Sequence, residues 1–262
     1  MKLTVLGGSA AGPNPGQGCA GFLVTTGGDG DARTRLVLDL GPGTLPELRR
    51  HTDYRTLDGV VISHLHLDHV LDLAALRWLL AYNPVPAPRP VPLWLPPGGR
   101  DFLRRLASAF AAPGEEEDFF DAVFAVAEYD PLQPIVVGNA TVTFTPTVHY
   151  VPCWAVRLDD GGGAPLVYTA DTGPTADLAG FARWAGLLVA ESTLPEPPRD
   201  PDHVLGHLAA AEAAELATRA GVPRLLLTHL WEEYGLDNYR RAAEARYGGR
   251  LEIARAGLTI AW

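Results

Sequence analysis

Four side chains of metal-ligating type stand within six residues, in His64-Leu65-His66-Leu67-Asp68-His69, directly after the apolar β-type run Gly59-Val60-Val61-Ile62. No other feature of the chain restricts its fold so tightly. A lone histidine in a loop usually does no more than hydrogen-bond, but this density at a strand-to-helix junction points to a metal site. Residues two apart in extended chain face the same way, so His64 and His66 can grip one ion from one side. Asp68 and His69, entering the next helix, then face a neighbouring ion.

Around this run the chain alternates short apolar β-type segments with segments of helical period. The strand candidates are Leu3 to Leu6, Gly21 to Thr25, Arg35 to Leu40, Gly59 to Ile62, Val91 to Leu95, Thr141 to Thr145, Trp154 to Leu158, Leu166 to Thr169, Leu187 to Ala190, Leu225 to Thr228 and Leu258 to Trp262. The helix candidates are Leu71 to Tyr82, Arg100 to Ala111, Ala176 to Trp184, Ala209 to Ala220 and Asn238 to Tyr247, with Gly221 and Gly248 placed as helix stops. Such an order is α/β and fits two sheets packed face to face with helices outside, an αββα layering. At 262 residues, with no short-period repeat and no linker, the chain reads as one domain, 1–262. The proline-rich stretch Pro84 to Pro97 reads as a rigid connection around a strand, Glu115 to Asp118 as a solvated acidic loop, and Asp159 to Gly163 as a hairpin tip.

Composition excludes several roles. No apolar stretch approaches the roughly 18 to 20 residues of a membrane span, and the opening Met1-Lys2-Leu3-Thr4-Val5-Leu6-Gly7 turns into a glycine loop too soon for a signal peptide. A cytoplasmic location is therefore expected. Cys19 and Cys153 are the only cysteines, too few and too far apart for a disulfide framework, and read as reduced thiols. The net charge of −10 argues against a general affinity for nucleic acid, which needs clustered Lys and Arg.

The H-x-H-x-D-H run resembles the signature of the metallo-β-lactamase superfamily. That resemblance implies one further histidine, one bridging aspartate and a last histidine, each at a strand end. His149, Asp171 in Tyr168-Thr169-Ala170-Asp171-Thr172-Gly173, and His229 in Leu225-Leu226-Leu227-Thr228-His229 stand in the required order. Carried over by position, His64, His66 and His149 would bind one metal, Asp68, His69 and His229 the other, and Asp171 would bridge both. Five imidazoles and two carboxylates suit zinc first, with manganese, iron and cobalt left open. Cys153, close to His149, has no place in that set and reads as packing. Two cations of this kind acidify a water for attack, so no side chain needs to be the nucleophile. Asp68 counts among the catalytic residues on this reading.

Gly206-His207-Leu208 resembles the stretch that places a non-ligand histidine beside the metals in the tRNA 3′-processing endonucleases and related phosphodiesterases of the superfamily. His207 matches that histidine and Glu191 the glutamate that orients it. The resemblance implies that His207 protonates the leaving oxygen. The plain alternative is a helix cap at His207 and a buried strand end at Glu191.

This pair points to a small phosphodiester substrate. The tRNA-processing relatives carry a long basic arm between the third and fourth metal motifs, whereas only Tyr150 to Ala170 separate His149 from Asp171 here. The glycine loop Gly7 to Pro13 and the position of Asp72 are also closer to bacterial members with cyclic-nucleotide phosphodiesterase activity, which makes a cyclic nucleotide the preferred substrate. Trp231 and Tyr234, in a loop after His229, are candidates for stacking on a base, while Trp154 reads as core. The alternatives carried are a tRNA 3′-processing endonuclease, a lactonase or thioesterase that would not need His207, a redox member with a single iron, and a non-catalytic binding protein. A homodimer is expected from the habit of relatives.

Overall fold

The computed structural model describes residues 1–27, 33–174, 177–198 and 206–262. Two seven-stranded sheets lie at its centre. The first runs, in spatial order, β14 (Thr259–Ala261), β1 (Lys2–Gly7), β2 (Gly21–Thr25), β3 (Arg35–Leu40), β4 (Gly59–Val61), β5 (Val91–Leu95) and β6 (Phe124–Glu128). The second runs β13 (Arg250–Ile253), β12 (Arg224–Thr228), β11 (Leu187–Glu191), β10 (Leu166–Tyr168), β9 (Trp154–Asp159), β8 (Ala140–Pro146) and β7 (Ile135–Val137). Each sheet is antiparallel at one side and turns parallel at the other, at β3 in the first and β10 in the second. Parallel neighbours require crossovers, and helices fill them.

Three separate apolar clusters divide the molecule into four layers. Between the sheets, Val5, Phe22, Leu36 and Leu38 meet Val142, Val156, Tyr168 and Leu226. Outside the first sheet, Leu48 of α1 (Leu45–His51), Val70 of α2 (Leu67–Val70), Leu76 of α3 (Asp72–Tyr82), Leu103 of α4 (Gly99–Ala107) and Phe119 of α5 (Asp118–Asp121) pack on Val37 and Val60. Outside the second, Leu178 of α6 (Asp177–Phe181), Ala213 and Ala217 of α7 (Ala210–Ala220) and Tyr239 of α8 (Leu236–Glu244) pack on Leu188 and Leu225. Strand side chains alternate faces with a period of two, so β3 serves two layers at once: Leu36 and Leu38 face the other sheet while Val37 faces the helices. The αββα layering expected from the element order is the one observed. No helix among the described residues is long and apolar enough to cross a membrane.

The eleven strand candidates all form, with ends shifted by a residue or two. Three strands were not anticipated: β6, β7 and β13. All three are sheet edges whose burial is partial and irregular, and β7 and β13 are only three and four residues long, too short for a period to show. The helix expected over Leu71 to Tyr82 begins earlier, at Leu67, and is split at Leu71 into α2 and α3. The last helix stops at Glu244 rather than before Gly248, because Tyr247 turns inward, buried, and its hydroxyl donates to the Val222 carbonyl (2.8 Å). Gly221 does close α7, in the left-handed region at φ 68°. Of the helix expected over 176–184, Ala176 lies outside the described residues and the helix ends at Phe181, with Trp184 left-handed at φ 68°. The acidic run stays exposed in part as a turn, though Asp118 opens α5.

One backbone approach joins the two halves of the histidine region. A Cβ added at Gly41, just after β3, would fall 1.9 Å from the carbonyl oxygen of Asp68. Gly41→Ala is therefore expected to destabilise the protein by about 1–3 kcal/mol through forced backbone displacement. Gly163→Ala, with nothing within 4 Å of the added carbon, should stay within about 0.5 kcal/mol. Denaturant midpoints of the two variants check this; equal midpoints would show that the strand and helix are not held together here.

Candidate metal centre

All seven residues expected as ligands converge at one end of the sandwich, in the segments that follow strands, with Asp68 and His69 in α2. His64, His66, Asp68 and His69 follow β4, His149 follows β8, Asp171 follows β10 and His229 follows β12. One atom from each of His64, His66, His149 and Asp171 lies within 4.8 Å of the others, and so does one from each of Asp68, His69, Asp171 and His229. Asp171 belongs to both groups: its Oδ1 lies 3.3 Å from His69 Nε2, and its Oδ2 lies 3.3 Å from His229 Nε2 and 3.8 Å from each of His64 and His149 Nε2.

Hydrogen bonds at the outer nitrogens decide which ring atom faces inward. His69 Nδ1–H donates to Asp39 Oδ2 (2.7 Å), and His149 Nδ1–H to the Gly206 carbonyl (2.8 Å). The Ser63 hydroxyl donates to Asp39 Oδ2 (2.7 Å), so it accepts from His64 Nδ1–H (3.0 Å). In the same way Thr193 Oγ1 donates to Glu191 Oε2 (3.0 Å) and accepts from His229 Nδ1–H (2.9 Å). Four imidazoles are thus fixed with Nε2 inward, the outer-shell arrangement that orients metal-binding histidines. His66 alone presents Nδ1, 3.0 Å from His149 Nε2.

The donor set fits divalent cations. Zinc-to-nitrogen bonds of about 2.0–2.1 Å in a tetrahedron put neighbouring donors roughly 3.3 Å apart. Here the separations are 3.0 Å for His229 Nε2 to Asp68 Oδ2, 3.4 Å for His69 Nε2 to Asp68 Oδ2 and 3.3 Å for His229 Nε2 to Asp171 Oδ2. His64 Nε2, His69 Nε2 and Asp171 Oδ1 are buried without a hydrogen bond among the described residues. Buried polar atoms are rarely left so unless something else satisfies them.

Electrostatics separate the two groups. Burial, aided by His69, pushes His64 well below the ordinary imidazole range, and burial also lowers His66 and His149. Those three are neutral, with lone pairs free. Burial would lower His69 and His229 too, but the Asp171 carboxylate, with Asp39 beside His69 and Asp68 beside His229, raises both. Asp68 and Asp171 move the other way: burial opposes their charge, yet the histidines around them hold both well below the carboxylate range.

Asp39 was missed by sequence reasoning. It sits inside the apolar strand β3, fully buried, in a left-handed conformation at φ 56°, where the pairing with β2 skips a residue between Leu38 and Leu40. A bulge of this kind re-aims one side chain. Asp39 accepts from Ser63 N and Oγ, His69 Nδ1 and Tyr168 OH. The available signal was a lone carboxylate in Arg35-Leu36-Val37-Leu38-Asp39-Leu40. Cys153 has the packing role expected: buried, its Sγ donates to the Asp171 carbonyl (3.3 Å). Asp72 is structural, accepting from Leu45 N (2.9 Å) at the start of α1.

His207 and Glu191 meet as expected. Glu191 is fully buried, and its Oε1 accepts from His207 Nδ1–H (2.9 Å) and Thr172 N (3.0 Å). Its other oxygen accepts from Thr193 N and Oγ1. With both oxygens engaged, Glu191 has no lone pair to spare for a cation, although it, His207 and His229 also lie within 4.8 Å. The His207 ring stands between the two groups, 5.0 Å from the His149 ring and 5.3 Å from that of His229. It does not cap α7, whose N-cap is Ala209. The Trp231 indole reaches the opening glycine loop, 3.9 Å from a carbon added at Gly12, while its backbone meets Tyr239 OH, and Tyr234 packs edge-on to Tyr239 (6.4 Å).

Two donor groups sharing one carboxylate, set where strands of both sheets end, mark this molecule as a metallo-hydrolase. Residues 34–230 match the family model described as the β-lactamase superfamily domain, and the chain belongs to the metallo-β-lactamase superfamily. It is 30% identical to the probable metallo-hydrolase YhfI of Bacillus subtilis, over 98% of each chain. The crystal structure of YhfI superposes with a TM-score of 0.84, covering 99% of both chains. The protein Rv1339 of Mycobacterium tuberculosis is 31% identical over 98% of this chain and 94% of its own, and ribonuclease Z of Myxococcus xanthus is 28% identical over 99% and 97%. A diphosphatase of the PhnP family shares the fold at a TM-score of 0.75 and 17% identity, covering 100% of this chain and 97% of that one.

Two outcomes test this centre. Cation uptake must displace the protons that the carboxylates hold on His69 and His229, so zinc binding near pH 6.5 should release about two protons. Because both groups are raised, release should shrink as pH climbs past them, and affinity should weaken as pH falls. Calorimetric titrations in buffers of different ionisation enthalpy measure this. Asp39→Asn, which removes the charge behind His69, should weaken zinc binding by about 10–100-fold; unaltered affinity by chelator competition would deny Asp39 that role.

Proposed function

We propose that the protein is a phosphodiesterase that uses two divalent metal ions, zinc first, and acts on a small nucleotide, with a cyclic nucleotide preferred. The observation that carries this reading is the His207 imidazole, which is tied to no ligand position, held by a buried carboxylate, and set between both donor groups. His64, His66 and His149 would hold one ion, Asp68, His69 and His229 the other, and Asp171 both. Ions held there polarise a phosphoryl oxygen and acidify a water.

What remains falls to the chain. Hydrolysis adds water across a P–O bond, and the departing alcohol oxygen must take up a proton. Glu191 accepts the Nδ1–H of His207, so Nε2 is the atom that exchanges a proton with substrate. The carboxylate also steadies the imidazolium form in which His207 donates. Thr172 and Thr193 hold Glu191 from both sides, so the ring cannot swing away with its partner. An acyl hydrolase has less use for such a donor than a phosphodiesterase does.

A tRNA 3′-processing endonuclease is the second reading, favoured by the similarity to ribonuclease Z. Against it stand the net charge of −10 and the segment between His149 and Asp171, a compact β9–β10 hairpin with no room for a tRNA-holding arm. A small substrate fits both facts, and no nucleic-acid partner is needed.

His207→Ala should lower kcat for bis(p-nitrophenyl) phosphate and for adenosine 3′,5′-cyclic monophosphate by about 10² to 10⁴-fold, with metal content by elemental analysis unchanged. Unchanged turnover, or faster turnover of lactones than of phosphodiesters by the wild type, would overturn the assignment.

A further inference from the structure

Beside the proton donor stands an aromatic side chain that neither the ligand set nor the proton transfer uses. Tyr150 follows His149 directly, yet it is 61% exposed. Its ring centroid lies 5.1 Å from that of His149 at 51°, and 5.7 Å from that of His207 at 62°. Two imidazoles therefore hold it from one side and leave a face open to solvent.

The chain makes room for this placement. A Cβ added at Gly206 would lie 2.7 Å from two ring carbons of Tyr150, so the ring rests directly on that backbone. The Gly206 carbonyl is also the acceptor for His149 Nδ1. One residue thus orients a ligand and floors the ring, and no larger side chain fits there. The neighbours of the donors are apolar as well: Leu67 after His66 and Val148 before His149 are both exposed.

We propose that Tyr150 is the specificity-determining platform for the departing half of the substrate, selecting a phosphodiester whose leaving oxygen belongs to a nucleoside over one whose leaving oxygen belongs to a small aliphatic alcohol. The inference rests on the phosphodiesterase reading and deepens it. His207 delivers its proton to the leaving oxygen, so whatever is attached to that oxygen lies on the His207 side, where the open ring of Tyr150 stands. A flat, uncharged face of this kind stacks on any nucleobase and has nothing comparable to offer a glycerol. Its contacts to the histidines are made by the ring, so phenylalanine should replace tyrosine and alanine should not.

The test uses zinc-loaded full-length protein and two measurements. Calorimetric binding of adenosine 5′-monophosphate and of glycerol 3-phosphate reads the platform without turnover; KM and kcat for adenosine 3′,5′-cyclic monophosphate and bis(glycerol) phosphate, whose leaving alcohol is uncharged and aliphatic, read it during catalysis. Tyr150→Ala should weaken the adenosine ligand by roughly 5- to 150-fold, the span of one base–aromatic stack. It should erode the preference over the glycerol ligand by the same factor, and raise KM for the cyclic nucleotide more than it lowers kcat. Tyr150→Phe should keep the preference to within about threefold. Equal losses for both ligands would overturn the proposal in favour of a general disturbance of the site. A loss in Tyr150→Phe matching that in Tyr150→Ala would overturn it in favour of a hydroxyl contact to phosphate. If the wild type hydrolyses neither diester while binding still discriminates through Tyr150, the platform stands and the phosphodiesterase reading fails. A wild type that binds both ligands alike sinks the platform whatever its activity.

Discussion

Seven donor groups with inward lone pairs and charges have been forced into one small, buried volume, and the rest of the structure answers to that constraint. Left alone, such groups repel one another and lose hydration, which costs several kcal/mol per buried charge. The fold manages the cost with partners placed behind each donor. Asp39, Ser63, Thr193 and the Gly206 carbonyl bind the outer nitrogens of four histidines, so each ring is fixed in tautomer and angle before a cation arrives. Backbone strain belongs to the same arrangement. Among the described residues four non-glycine positions have positive φ, and three of them, Asp39, Ala170 and His229, are in or next to the centre. Conformations of this kind cost about 1–3 kcal/mol each and persist only where surrounding packing enforces them.

The enforcing structure is the sandwich itself. One sheet and its helices present Asp39 and the run His64 to His69; the other presents His149, Asp171, Glu191, His207 and His229. Neither sheet carries a complete donor group, because each group needs Asp171 from one sheet and a histidine from the other. The inter-sheet cluster is therefore a functional element as much as a stabilising one. Tyr168 shows this most directly: its ring packs in the cluster against Phe22 (5.1 Å), and its hydroxyl donates to Asp39 across the interface (2.8 Å). A slip between the sheets would break a packing contact and an outer-shell hydrogen bond together.

Legibility in the sequence followed the physics of each signal. The donor residues could be found because they are chemically unusual and crowded, at least from His64 to His69, and because the remaining three stand at strand ends in a known order. Inner strands could be found because burial on both faces makes them continuously apolar, as in Val60 to Ile62 or Leu225 to Leu227. Edge strands β6, β7 and β13 were not found: β7 and β13 are only three and four residues long, and the burial of β6 follows no period of two. Asp39 was overlooked because a carboxylate in a strand has no local pattern; only its bulge and its four donors, from Ser63, His69 and Tyr168, reveal its purpose. For the aromatic candidates Trp231 and Tyr234, nearness to His229 along a loop does not say where a ring points.

What the sequence determined by itself was chemical type and local geometry: a strand ending in H-x-H, a helix opening on Asp68 and His69, alternating elements that must layer as αββα, and a charge unsuited to nucleic acid. These follow from residue identity and from periods of two and 3.6, which are local properties. Only the tertiary structure decided that Asp171 sits between two donor groups, that His207 spans them on the arm of Glu191, that Asp39 stands behind His69, and that Tyr150 borders His207. Each of those facts is a distance between residues 16 to 161 positions apart. Such distances are set by how three apolar clusters pack at once, and no short window of sequence contains that information.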